Sequence, residues 1–495
     1  MPRLPFPDTQ IKDELYQAGE ILDKGDSRVE TDSMGQVKVP SARLWGAQTQ
    51  RSLIHFSIGD DHMPYAVYHA YGYVKKAAAI VNCAAGHLPK EIADLIIKAA
   101  DEVIAGKLDQ EFPLFVWQTG SGTQSNMNVN EVISNRAIQL TGGKLGTKTP
   151  VHPNDHVNFS QSSNDTFPTA MHVATVLEFT EYLIPHVQGL VDAMHKKAVE
   201  WVDVVKIGRT HLQDATPLTV GQEWSGYVSQ IQDALIIVKQ SMSGLYKLAA
   251  GGTAVGTGIN ASPTFGSEIA AEIAKLTHQP FITAPNKFAA QGSLDAMVAA
   301  SAGLRALAVA LMKIANDIRW LSCGPRAGFH ELDLPSNEPG SSIMPGKVNP
   351  TQAEAMVMIC IQVMANDTAV AFAGSQGNFE LNAMRPIIIK NVLHSATILG
   401  DACEKFNIYC IKDIKLNKEQ INEFLNRSLM LVTALSPVIG YDKASAIAHK
   451  ALDENTTLRQ AAIASGYVSA EQFDKIIIPS SMVGNPHQDL GLTKK

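Results

Sequence analysis

Two heptad-like seams constrain this chain more than any other feature. Val228, Ile231, Leu235, Val238, Met242, Leu245 and Ala249 follow an alternating three-four spacing, and Leu304, Leu307, Leu311, Ile314, Ile318 and Leu321 repeat it. Such stripes predict helices of about 25 residues, each roughly 37 Å long at 1.5 Å per residue, packed side by side. Leu183, Val187, Leu190 and Met194 give a shorter example. Few runs between residues 165 and 405 alternate with period two, so this region reads as a long-helix bundle. The segment 353–373 (AEAMVMICIQVMANDTAVAFA) is apolar on nearly every face. A helix of that kind cannot face water, and one chain's bundle offers it few neighbours. Burial on all sides, between subunits, is therefore expected.

The flanks differ. Residues 1–50 read as a polar arm punctuated by Pro2, Pro5 and Pro7, with short extended pieces predicted at Val29, Val37 and Val39 around Gly35. From there to about residue 160, apolar stretches alternate with breaks such as Thr141-Gly142-Gly143 and Thr149-Pro150. Beyond about 405 the helices shorten and end in a loose tail. The expected architecture is mainly α, in three domains: a mixed, mainly helical domain over 1–162, the long-helix bundle over 163–418 and a small helical domain over 419–495.

At 495 residues, 45% hydrophobic and 18% charged, the chain has the composition of a globular protein with a large core. A net charge of −7 argues against nucleic acid or an anionic membrane as partner, and an anionic substrate would need a local attraction. Five scattered cysteines, never spaced CxxC, predict no zinc ribbon, iron–sulfur cluster or disulfide framework; they read as small buried side chains in a reducing compartment. The best apolar run, Met297 to Met312, is broken by Arg305, so no membrane span is expected. The first 30 residues hold seven acidic and four basic side chains, which is unlike a targeting segment. The cytoplasm is the expected address, with the mitochondrial matrix left open.

Four polar, glycine-containing blocks interrupt this apolar scaffold: Thr119 to Asn130 (TGSGTQSNMNVN), His152 to Asp165 (HPNDHVNFSQSSND), Gly208 to Ala215 (GRTHLQDA) and Gly340 to Pro350 (GSSIMPGKVNP). Any one alone reads as a capped helix-to-helix turn. Four together carry the hydroxyl, amide and backbone donors that hold carboxylates. The fourth is not a phosphate-binding P-loop, since five residues separate Gly340 from Gly346 and Val348 follows Lys347 where Ser or Thr is needed. What remains suits a mobile lid with a base and a carboxylate clamp.

A lone histidine such as His211 is ordinarily a structural hydrogen-bonder. Glu354, however, lies in the apolar 353–373 run, where an unpaired carboxylate is costly, and either His211 or Lys347 is a candidate partner. His152 and His156 sit at i, i+4, but without an HExxH glutamate or an obvious third ligand no metal is expected. Gly251 to Gly258 (GGTAVGTG) fails the GxGxxG pattern and reads as a close-packing turn.

Together these blocks resemble the fumarase/aspartase superfamily, and most closely the class II fumarases. GSSIMPGKVNP is similar to the superfamily signature, and TGSGTQSNMNVNE, the 152–172 block and GRTHLQDATPLTVGQE are similar to its other motifs. The likeness runs from RVETDSMG at Arg28 and WGAQTQRS at Trp45 to the C-terminal region, about nine-tenths of the chain.

The resemblance implies a homotetramer around a twenty-helix core, five helices from each subunit, with active sites each shared by three subunits. It implies reversible, cofactor-free and metal-free hydration of fumarate to (S)-malate. By the same resemblance Ser341 is the base for the C3 proton, and His211 paired with Glu354 serves the hydroxyl side. Ser121, Thr123, Asn164, Thr210, Ser342, Lys347 and Asn349 hold the two carboxylates, with Gly122, Ser162, Ser163 and Val348 beside them. His152, Pro153, Asn154 and Asp155 form a second, non-catalytic dicarboxylate site. Phe159 replaces the family's usual lysine, and Thr149 stands where some bacterial members have arginine; both changes remove positive charge from that second site.

Two rivals stand beside this reading. Aspartate ammonia-lyases typically read GRTQLQD and MPAKVNP, so His211 and Gly346 favour a fumarase. A non-catalytic helical oligomer, as among lens crystallins, would not need Ser341, His211, Lys347 and Asn349 intact.

Overall fold

In the computed structural model, which describes residues 26–492, both seams lie on long helices. In chain order the principal helices are α1 (Ala47–His55), α2 (Tyr65–Ala84), α3 (Lys90–Ile104), α4 (Thr123–Leu140), α5 (Ser163–Glu178) and α6 (Ile184–Glu200). They continue with α7 (Val220–Ser241), α8 (Phe265–Thr277), α9 (Asp295–Leu321), α10 (Thr351–Gly374) and α11 (Arg385–Phe406). The expected mainly α class is correct. The first half of the predicted polar arm and the end of the tail lie outside the described residues.

Every residue of both long seams is buried, as are Leu183, Val187, Leu190 and Met194. The first seam outlasts its helix: after Ser241 a 3-10 turn at Met242–Gly244 and a short strand at Lys247–Leu248 carry Met242, Leu245 and Leu248 into the core.

The described residues form two compact units. The first takes 26–183, 237–306 and 362–398; the second takes 184–236, 307–361 and 399–492.

In the first unit the arm forms an antiparallel hairpin, β1 (Ser27–Asp32) with β2 (Gly35–Pro40). Arg28 pins it by donating to the carbonyls of Pro40, Arg43 and Trp45. The N-terminus of α1 has no cap of its own. Glu131 of α4 supplies one, accepting from the backbone of Gly46, Gln48 and Thr49. Helix α2 packs on α3, α5 and α8. The GGTAVGTG segment is a close-packing turn: a Cβ on Gly251 would stand 2.4 Å from the Gly266 Cα.

In the second unit, strands β3 (Val205–Thr210) and β4 (Gln213–Thr219) make an antiparallel hairpin that periodicity did not reveal, with a bulge between Ile207 and Arg209. Lys206, 2% exposed, anchors its base to Glu223 and Glu331, each at 2.8 Å. Arg209 adds a 2.6 Å bond to Glu331. Short helices between Lys418 and Ile476 gather their own core around Leu435, Ile447, Ala462 and Phe473.

Helices α9 and α10 are long and apolar enough to cross a membrane by length and composition alone, both with mean hydropathy 1.6. In α9, Arg305 pairs with the buried Asp367 at 2.6 Å. Within the single chain, helix α10 is buried along one face only. Met356, Cys360, Val363 and Val370 are buried, but Met358, Ile361 and Phe372 are 64%, 56% and 70% exposed. With Glu354, Ala365 and Thr368 they form an exposed stripe in 4-3-4-3-4 spacing. Among the described residues, nothing covers the outer face of α10. All five cysteines are free; Cys360, Cys403 and Cys410 are buried, and burial pushes their thiols up.

Candidate active site

The first two polar blocks both end as helix N-termini in the first unit. Gly122 closes the Thr119–Thr123 turn at φ +80°, and a Cβ there would overlap the Phe167 ring at 2.1 Å, so glycine is required. Helix α4 starts at Thr123, where Ser121 Oγ and Thr123 Oγ1 lie 2.8 Å apart. Ser162 caps α5 in a capping box with Asp165. Ser163 is buried and its Oγ accepts from Asn126 Nδ2 at 3.2 Å. Asn164 Nδ2 donates to the Ala254 carbonyl at 2.8 Å. The fold thus brings Ser121, Gly122 and Thr123 together with Ser162, Ser163 and Asn164. Two helix N-termini, through the positive ends of their dipoles, favour a bound anion.

Asp165 ties this region to the 251–253 turn through Gly251 N and Thr253 N, at 2.9 and 3.0 Å. Burial pushes its carboxyl up to about 6, against the pull of the three backbone donors and Lys75.

The other two blocks lie in the second unit. Thr210 ends β3, and His211 and Leu212 form the hairpin's two-residue tip, both in the left-handed region at φ +58° and +61°. Tips of this kind ordinarily take Asn-Gly, and a branched leucine there is strained. The Gly340–Asn349 loop is closed at its neck. Gly340 N donates to the Lys347 carbonyl at 2.9 Å, and Asn349 Nδ2 donates to the Gly340 carbonyl at 2.6 Å. Within the loop, Ser341 Oγ accepts from Ile343 N at 3.2 Å and Met344 N at 3.0 Å. Two backbone donors on one hydroxyl oxygen favour its ionised form. Ser342, Lys347 and Val348 are exposed on the same loop.

Glu354 is exposed in the single chain. It lies on the exposed stripe of α10, in the helix's first turn, where negative charge suits the dipole. Among the described residues, His211 and Glu354 make no hydrogen bond to each other.

A cavity of about 300 Å³ in the first unit is lined by Glu30, Asp32, Glu131, Lys148, His152 and Asn154, with Pro153 also in its wall. His152 Nδ1 accepts from Asn154 N and Asp155 N, both at 3.1 Å, which leaves the Nε2 side for a ligand. Burial holds the His152 imidazole below its usual range despite Asp155 nearby. Glu30 pairs with Arg28 at 2.6 Å and Asp32 with Arg51 at 2.7 Å, so part of the acidic lining is neutralised.

Two residues escaped the sequence reading. Lys75 hides within the apolar α2, fully buried. Arg385 begins α11 and is also fully buried. Its signal was legible: a cation at a helix N-terminus opposes the dipole and needs another reason to be there.

Comparison with known proteins identifies the family. The Lyase family model matches residues 35–365, and the Fumarase C C-terminus model matches residues 431–484. The chain is 72% identical over 468 residues to a fumarate hydratase class II of Methanosarcina acetivorans, covering 94% of this chain and 97% of that protein. It is 57% identical over 469 residues to the human mitochondrial fumarate hydratase, covering 94% and 92% respectively. Among solved structures, a class II fumarase from Schistosoma mansoni matches with TM-score 0.91 and 44% identity, over 93% of this chain and 99% of that one. Fold and sequence together make the chain a lyase of the fumarase/aspartase superfamily. Within that superfamily it belongs to the class II fumarases.

Proposed function

We infer that this chain is a fumarate hydratase, adding water reversibly and in anti fashion across fumarate to give (S)-malate. The names of its relatives support this over aspartate ammonia-lyase and over a non-catalytic oligomer. One geometric observation carries the mechanism: the Ser341 hydroxyl oxygen, on a neck-pinned loop, already receives two backbone N–H groups. A serine is a poor base until its alkoxide is stabilised, and these donors together with the Lys347 ammonium are suited to do so.

In the proposed reaction Ser341 takes the C3 proton of malate, and charge flows into the adjacent carboxylate as an aci-carboxylate. His211, oriented by Glu354 and acting through water, serves the departing hydroxyl on the opposite face. Ser121, Thr123, Asn164, Thr210, Ser342, Lys347 and Asn349 hold the carboxylates, and donors that tighten as charge grows lower the barrier. Every role is filled by a side chain or backbone group of the protein itself, without metal or other cofactor. His152, Pro153, Asn154 and Asp155 form a second dicarboxylate site, the first three of them lining the 300 Å³ cavity.

The working enzyme is a homotetramer with each active site drawn from three subunits. The exposed stripe of α10 supports this, because its apolar residues need helices from other copies. The three-domain division over 1–162, 163–418 and 419–495 is retained as the proposed organisation. Five free thiols fit the cytoplasm as its compartment.

The test is fumarate consumption followed by ultraviolet absorbance after chelator treatment, with and without ammonia. Malate formed without ammonia supports the proposal; consumption only with ammonia makes the protein an aspartase. Ser341→Ala should stay folded and lose about 10²–10⁴-fold in kcat. Near-normal turnover in that variant would remove Ser341 from the role of base.

A further inference from the structure

Two cations are buried behind the first unit's helix N-termini, and among the described residues neither has a carboxylate within ion-pair distance. Lys75 Nζ donates to Asn126 Oδ1 at 2.7 Å, Gln161 Oε1 at 2.9 Å and Asn158 Oδ1 at 3.2 Å. Three carbonyl acceptors need three N–H donors, which only the protonated amine has. Arg385 reaches the carbonyls of Ser121 and Ser163, both at 3.4 Å, and of Gln291 at 3.1 Å, while its Nε has no partner. Its backbone N–H also donates to the Gly120 carbonyl. Both side chains are fully buried.

The contacts of the two cations converge. Asn126, held by Lys75, donates onward to Ser163 Oγ at 3.2 Å. Arg385 bonds the carbonyls of Ser121 and Ser163. Arg385 thus bonds both turns directly, while Lys75 holds Asn126 of α4 and, through it, Ser163. The carboxylate that both feel is Asp165, and it already accepts from Ser162 N, Gly251 N and Thr253 N. Arg385 and the protonated form of Lys75, whose amine burial brings down to about 7, stand against one carboxylate and leave a net positive charge inside the protein when both are protonated. Such an excess is costly unless something offsets it, and a dianion at the adjoining helix N-termini would do so.

We propose that Lys75 and Arg385 are positioning residues of the dicarboxylate site, a proposal that rests on the fumarate hydratase reading above. They do not touch the substrate. They lock the Ser121–Thr123 and Ser162–Asn164 turns against each other and supply a fixed positive potential for a dianion. Because the field acts on each charge, the loss of one cation penalises a dianion by about the square of the factor for a monoanion.

The test uses the full-length enzyme and its Arg385→Gln, Arg385→Lys and Lys75→Gln variants. The readouts are KM and kcat for malate, and inhibition constants for succinate (a dianion) and propionate (a monoanion). Arg385→Gln should raise KM and the succinate constant about tenfold and the propionate constant about threefold, with a smaller fall in kcat. Arg385→Lys should recover most of the loss, because the charge is kept while the fork is not. Equal loss in both Arg385 variants, by one factor for both inhibitors, would reduce the residue to a structural prop and overturn the proposal. Unchanged constants in Arg385→Gln would overturn it too. Should that variant fail to fold, Lys75→Gln decides by the same succinate-to-propionate ratio. A wild-type enzyme that neither hydrates fumarate nor binds succinate would instead overturn the functional reading.

Discussion

Glu131 shows how one side chain joins stability to pH. It sits 6% exposed at the start of α1 and accepts from three backbone N–H groups and the Thr49 hydroxyl. Burial nevertheless pushes its carboxyl up to about 7, above its ordinary 4.5. A folded pKa above the unfolded one means that the native state holds the proton more tightly. The stability from this group is therefore full below about pH 4.5 and is lost as pH rises through about 7. Glu131→Gln should cost about 1–3 kcal/mol, because an amide accepts through one oxygen only. It should also flatten the decline of Tm between about pH 5 and 7.5 relative to the wild type. Parallel Tm curves for the two proteins would place the titration elsewhere.

At the scale of elements, the active loop is defined by its neck. Gly340 donates to Lys347 across it, and a Cβ on Gly340 would stand 2.2 Å from the Lys347 carbonyl oxygen. Gly340→Ala must therefore open the neck and let Ser341 drift from the Ile343 and Met344 amides. Turnover should fall by about tenfold or more while thermal stability changes little, since the loop is mostly exposed. An unchanged kcat would mean that the closed neck has no part in catalysis. The hairpin tip makes a related point. His211 and Leu212 both hold positive φ, which costs about 1–3 kcal/mol at a non-glycine residue and persists because Lys206, Arg209, Glu223 and Glu331 fasten the strands below.

For the whole molecule, the decisive surface is the outer stripe of α10. Its Met358, Ile361 and Phe372 are a seam without a partner in the single chain. Ile361→Glu should shift the protein from tetramer to smaller species by light scattering and abolish activity in parallel, because each proposed site draws on three chains. An active monomer would overturn the shared-site proposal. The same stripe explains why α10 passes a hydropathy test for membrane spans: a helix apolar on its outer face as well as its inner one has the composition of a span, and the proposed tetramer would cover that outer face.

The periodicity of apolar residues was enough to place the long helices, because burying a stripe at 3.6 residues per turn is a demand that the sequence itself must meet. The seams at 228–249 and 304–321 are buried as their spacing predicts. The four polar blocks were legible for the complementary reason: hydroxyls, amides and glycines are conspicuous in an apolar scaffold. What only the tertiary structure decided were the relations between distant segments. Spacing is silent on the left-handed tip at His211, the two amides aimed at Ser341 and the exposure of Glu354. It is equally silent on the buried cations, whose partners lie 51 residues from Lys75 and 264 from Arg385. Helix formation is a local matter of pattern, whereas the field and geometry of a site depend on which chain segments the folded core brings into contact.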